Sequence, residues 1–105
     1  MATEMQVTRE QRNAPRKKVS LAVLCRSGVE RGAGRMVNVS LSGALLEPTS
    51  IRPERGAAVK ILFATPGAVR STELNGTAAR HTESGFAIQF LAANDGLREL
   101  VGGAA

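Results

Sequence analysis

"NVSLSGALLE", residues 38 to 47, runs from the end of one short alternating segment, through Gly43, into the start of another. "RMVNV" (35–39) leads into it and "GALLE" (43–47) leads out, so the stretch reads as strand, turn, strand. Successive side chains of a strand point to opposite faces, so Asn38 and Ser40, two apart, are expected on the same side of the strand end. Gly43 closes the turn, since it tolerates backbone conformations and close approaches that other residues do not.

The pattern repeats on both sides. Upstream, "VSLAVLCR" (19–26) puts Val19, Leu21, Val23 and Cys25 on one face, and "SGVERGAG" after it reads as a turn or loop. Downstream, "PTSIRPERG" is punctuated by Pro48, Pro53 and Gly56 and reads as a connection. In "AAVKILF" (57–63), Val59, Ile61 and Phe63 alternate with Lys60. "STELNGTAAR" (71–80) is a weaker strand with Gly76 as a candidate bulge, and "GFAIQF" (85–90) is a strong one with Phe86, Ile88 and Phe90 on a shared core face. These six strands suit a compact antiparallel sheet or barrel. "NDGLRELV" then starts a short helix capped by Asn94 or Asp95, and "GGAA" frays at the end.

A chain of 105 residues and 11.0 kDa holds one small domain. With 43% apolar and 22% charged residues it has the composition of a globular protein. No run approaches the roughly 18 apolar residues of a membrane span, and "MATEMQVTREQR" lacks the apolar segment of a secretory signal, so a cytoplasmic location is expected. The single cysteine, Cys25, rules out an internal disulfide and a multi-thiolate metal site, and reads as a small buried hydrophobe. His81 has no acidic or histidine partner at metal-ligand spacing, and Cys25, His81 and Asp95 come with no nucleophile motif. Paired catalytic carboxylates and a phosphate-loop signature are missing too, so no enzyme is expected, and no cofactor or metal.

Net charge is +5, carried by 11 Arg and 3 Lys, and five of these 14 cations (Arg9, Arg12, Arg16, Lys17, Lys18) lie between positions 9 and 18. Such a balance favours anionic partners, and guanidinium grips phosphate or a guanine edge with paired hydrogen bonds of fixed geometry. Within that segment, "RNAPR" (12–16) spaces Arg12 and Arg16 four apart, and Pro15 disfavours helix at Ala14. The two arginines therefore ride on an extended arm just before the first strand, and the polar composition of "TREQRNAPRKK" gives that arm almost nothing to bury.

An RxxxR arm followed about 22 residues later by [D/N]xSxxG at a strand junction resembles the PilZ domain family, whose members bind the bacterial second messenger cyclic diguanylate. The resemblance covers about residues 9 to 100, with 1–8 expected to be a disordered N-terminus, 9–101 the domain and 102–105 a tail. It implies a six-stranded antiparallel β-barrel with a short C-terminal helix and a flexible N-terminal arm. It also implies a ligand set of Arg12, Arg16, Asn38, Ser40 and Gly43 for cyclic diguanylate, with an unidentified effector protein as partner. Arg16 would meet O6 and N7 of a guanine, worth roughly 1–3 kcal/mol of discrimination. Asn38 and Ser40 would accept from the guanine N–H groups, and Arg12 would meet phosphate or stack on a base. Asn38 brings one acceptor oxygen where an aspartate in the motif would bring two. The resemblance implies a stand-alone receptor in motility, pilus or biofilm control, whose arm orders on binding.

Other readings compete with this one. "RGAGR" (31–35) also matches RxxxR, but it is expected in a hairpin loop three residues before Asn38, too close to act as an independent clasp. A small nucleic-acid-binding barrel would suit the charge, yet the chain has no Trp or Tyr and needs Phe86 and Phe90 inside, so stacking platforms are scarce. A protein-interaction module that has lost the nucleotide should have lost at least one of the five motif residues, and all five are present.

Overall fold

In the computed structural model, which describes residues 16–65 and 67–102, six antiparallel strands close into a barrel. They are β1 (Lys17–Ser27), β2 (Glu30–Val39), β3 (Gly43–Thr49), β4 (Ala58–Phe63), β5 (Thr72–His81) and β6 (Phe86–Phe90), followed by the helix α1 (Asp95–Gly102). Around the barrel the order is β1-β2-β3-β6-β5-β4, and β4 pairs back to β1. Closure leaves no continuous free edge, which removes the main aggregation hazard of a small sheet.

The alternation read from the sequence is the alternation of burial. Val23 and Cys25 of β1, Val59, Ile61 and Phe63 of β4, and Phe86, Ile88 and Phe90 of β6 all point into the core. Leu97 and Leu100 of α1 join the same cluster, while Val19 and Leu21 pack against it half-buried. Asn94 caps the helix: its Oδ1 accepts from the Leu97 amide at 2.9 Å, and its Nδ2 donates to the Glu73 carbonyl at 3.0 Å, fixing the helix start to β5.

Three expectations are corrected. "RGAGR" does not lie in a hairpin loop; it is strand, paired residue by residue with β1 from Ala22↔Arg35 to Arg26↔Arg31. The turn is only Gly28–Val29, with φ of 61° at Gly28, as tight two-residue hairpins require. The glycines that suggested a loop instead allow close packing, since a Cβ on Gly34 would lie 2.7 Å from the Pro48 carbonyl oxygen. Gly76 is not a bulge, for it pairs regularly with Val59 and Phe90; the irregularity of β5 falls between Ala78 and Arg80. The alternation of β2 also breaks. Met36 pairs with Leu46 and Asn38 with Leu45, so Val37 is the extra residue, and Met36 and Val39, three apart, both point inward.

Candidate functional site

The loop between β2 and β3 is shaped by one hydroxyl. Ser40 is only 5% exposed, and its Oγ accepts from the Ser42 amide at 3.1 Å and the Gly43 amide at 3.3 Å, with the Ser42 hydroxyl 3.1 Å away. The Ser40 amide donates to the Gly43 carbonyl at 2.8 Å, closing the turn. Such side-chain-to-backbone bonds hold a turn in one conformation. Gly43 then enters β3 opposite Gln89 of β6, so close that a Cβ would collide with the Ile88 carbonyl oxygen.

Outside the barrel, over the β3-β6-β5 wall, this loop borders a cleft of about 440 Å³. Its lining brings together Arg16 at the root of the arm, Ser40, Ser42 and Gly43 of the loop, Gln89 of β6 and Arg80 of β5. Among the described residues, two guanidinium groups and no carboxylate line it, so its field favours an anion. Its polar edge offers serine hydroxyls and an amide, which can both donate and accept. The volume falls within the roughly 300–1,000 Å³ usual for small-molecule sites.

Of the five residues singled out in the sequence, Arg16, Ser40 and Gly43 line the cleft. Asn38 does not line it; it is half-buried and pairs across the ladder with Leu45, which does. Arg12 lies outside the described residues, as does most of the arm. Sequence reasoning missed Arg80 and Gln89. Gln89 had a signal, because a strand with Phe86, Ile88 and Phe90 inside must turn Ala87 and Gln89 outward. Arg80 had none: the irregularity at Ala79 turns both Ala79 and Arg80 to the exterior, and only the pairing of β5 with β6 reveals it.

A family model described as the PilZ domain matches residues 10–103. The chain belongs to the PilZ domain family. PilZ domains are a family of cyclic diguanylate receptors, and the six-stranded closed barrel with one short C-terminal helix is the PilZ fold. Among solved structures, the PilZ domain of CeSA from a cellulose-synthesizing bacterium superposes with a TM-score of 0.71 at 17% identity, covering 85% of this chain and 96% of that one. The Bacillus subtilis inhibitor of motility (MotI/DgrA) superposes at 0.61 with 12% identity, over 82% of this chain and 45% of that one. At these identities the likeness concerns the fold. No curated protein matches the sequence. Among the described residues, no helix of this PilZ domain is long and apolar enough to cross a membrane.

Proposed function

We propose that the cleft receives cyclic diguanylate and that the protein relays the level of this messenger to a partner protein, in motility, pilus or biofilm control. The reading is carried by one observation: Arg16 and Arg80 share a cleft with the serine loop and Gln89, with no carboxylate among its described lining residues, in a chain of the PilZ family. Arg16 reads the O6 and N7 edge of a guanine. Arg12 brings charge to the phosphates or stacks on a base. Ser40 serves through the loop that its hydroxyl closes, and Gly43 lets the ligand and the backbone approach closely; Asn38, paired with Leu45 outside the cleft lining, must turn its side chain toward the ligand to accept from the guanine N–H groups. Arg80 adds a second cation from β5.

The relay step is closure of the arm over the messenger. Fixing each arm residue costs roughly 1–2 kcal/mol, and charge-assisted hydrogen bonds worth about 1.5–3 kcal/mol each offset that cost. Affinity therefore falls as salt rises. Ligand binding should also raise amide protection over residues 5 to 18.

Calorimetric titration tests the reading. Cyclic diguanylate should bind with micromolar or better affinity and in preference to cyclic diadenylate, because adenine puts an amino donor where guanine has the O6 acceptor that Arg16 needs. Equal affinity for the two would sink the guanine-reading assignment, and no binding of either would sink the receptor.

A further inference from the structure

On the far side of the barrel from the cleft, β1 lies between β2 and β4, and its outward residues continue those of its neighbours in two rungs. One rung is cationic: Arg26 of β1 is directly opposite Arg31 of β2 and opposite Lys60 of β4. The next rung, two residues along and about 7 Å away, is apolar: Leu24 of β1 is opposite Ala33 of β2 and Leu62 of β4. Leu24 is 59% and Leu62 37% exposed, and the rungs meet in a groove of about 420 Å³. Among the described residues, the only carboxylate lining that groove is Glu73, held by Lys60 at 2.8 Å.

Like charges placed directly across strands destabilise a sheet, and burying leucine rather than exposing it is worth roughly 1.5–3 kcal/mol. Within the fold, Glu73 offsets part of the cationic rung through Lys60, while Arg26 and Arg31 still face each other directly and Leu24 stays 59% exposed. Both features become favourable against a surface with the opposite charge beside an apolar edge.

We propose that this groove is the docking site for an acidic, leucine-bearing amphipathic segment of a partner protein. Carboxylates of the segment face Arg26, Arg31 and Lys60, and its apolar side chains enter between Leu24 and Leu62. A second copy of this face is a poor occupant, because Glu73, the one carboxylate among its described lining residues, is already held by a lysine. A lipid surface is a poorer fit, because the groove carries only two exposed leucines, and both line it beside Arg26, Arg31 and Lys60. The proposal rests on the relay reading and supplies its output side: β1/β4 and β3/β6 are opposite junctions of the ring, so the segment and the messenger are held at the same time.

The test is a nuclear magnetic resonance titration of the full chain with a short synthetic peptide having one leucine and one glutamate face. Saturable shifts should centre on Leu24, Arg26, Lys60 and Leu62. The matched leucine–lysine peptide should leave them unmoved. Leu24→Ser and the double exchange Arg26→Glu with Lys60→Glu change exposed or half-exposed side chains, and each should weaken peptide binding about tenfold or more. Both variants should still bind cyclic diguanylate as the parent does. The proposal is overturned if neither peptide shifts these residues or if the lysine peptide does so equally. It is also overturned if the face responds instead to phosphatidylglycerol vesicles, to a DNA oligonucleotide or to self-association. Peptide shifts in a protein that binds no cyclic diguanylate would support the groove and remove only its link to the messenger. Nucleotide binding without peptide shifts would do the reverse.

Discussion

Lys17 Nζ donates a 2.8 Å hydrogen bond to the carbonyl of Leu100, tying the first residue of β1 to the last turn of α1 across 83 positions of sequence. The last carbonyls of a helix have no partner within it, and α1 has no basic residue in its own last turn. The cation is supplied from the barrel instead, where it also meets the negative end of the helix. Because Arg16 is the preceding residue, the contact anchors the root of the arm beside the helix.

Lys17→Met should therefore loosen α1. The expected loss is about 1 kcal/mol, a fall of about 4–8 °C in Tm for a domain of this size. Amide exchange over residues 98–102 should accelerate ahead of the strands. Unchanged protection of those amides would show that the hydrogen bond does not hold the helix end.

The two RxxxR segments make opposite predictions. Arg16→Ala should abolish detectable cyclic diguanylate binding, since Arg16 lines the cleft. Arg31→Ala and Arg35→Ala should leave binding largely unchanged, because both sit on β2, where Arg35 donates to the Ser20 hydroxyl at 3.1 Å and Arg31 lines the opposite groove. Calorimetry on the three variants decides, and greater damage from the β2 substitutions would assign the arm wrongly.

Gly43→Ala should cost both stability and binding. The added methyl meets a backbone oxygen, that of Ile88, which moves only by distorting the β3–β6 ladder. Forced overpacking of this kind costs about 1–3 kcal/mol, readable by urea denaturation. Affinity should fall in step, since the shifted wall is the wall of the cleft. Wild-type stability in the variant would contradict the packing seen at this position.

Cys25 is buried, and burial pushes its thiol above the ordinary value. The folded state therefore keeps a proton that the unfolded chain loses first. Its contribution to stability is complete below the ordinary thiol range and is lost as pH rises through that range toward the raised folded value. Alkaline denaturation of the wild type should steepen there relative to Cys25→Ala, and a thiol reagent should modify the native protein only at the rate of unfolding. Rapid modification of folded protein would refute the burial.

The barrel was legible because its strands alternate. Period-two patterning in 19–26, 57–63 and 85–90 marks which side chains share the interior, and hydrophobic burial enforces that choice whatever the strand order. A helix cap at Asn94 or Asp95 was legible because a cap answers a local backbone need, whereas the need for glycine at 43 comes from the Ile88 carbonyl of the neighbouring strand. The local motif also located Arg16 and the serine loop. The strand character of "RGAGR" depended on tertiary structure, because glycine and arginine have little strand preference of their own and the ladder with β1 supplies it. So did the irregularities at Val37 and Ala79, which turn Met36 and Val39 both inward and set Arg80 over the cleft. The two rungs of the far groove come from β1, β2 and β4, which no local pattern aligns. Side-chain alternation is a property of one strand, whereas the facing of Arg26 with Arg31 and Lys60 is a property of register, and register exists only once the barrel has closed.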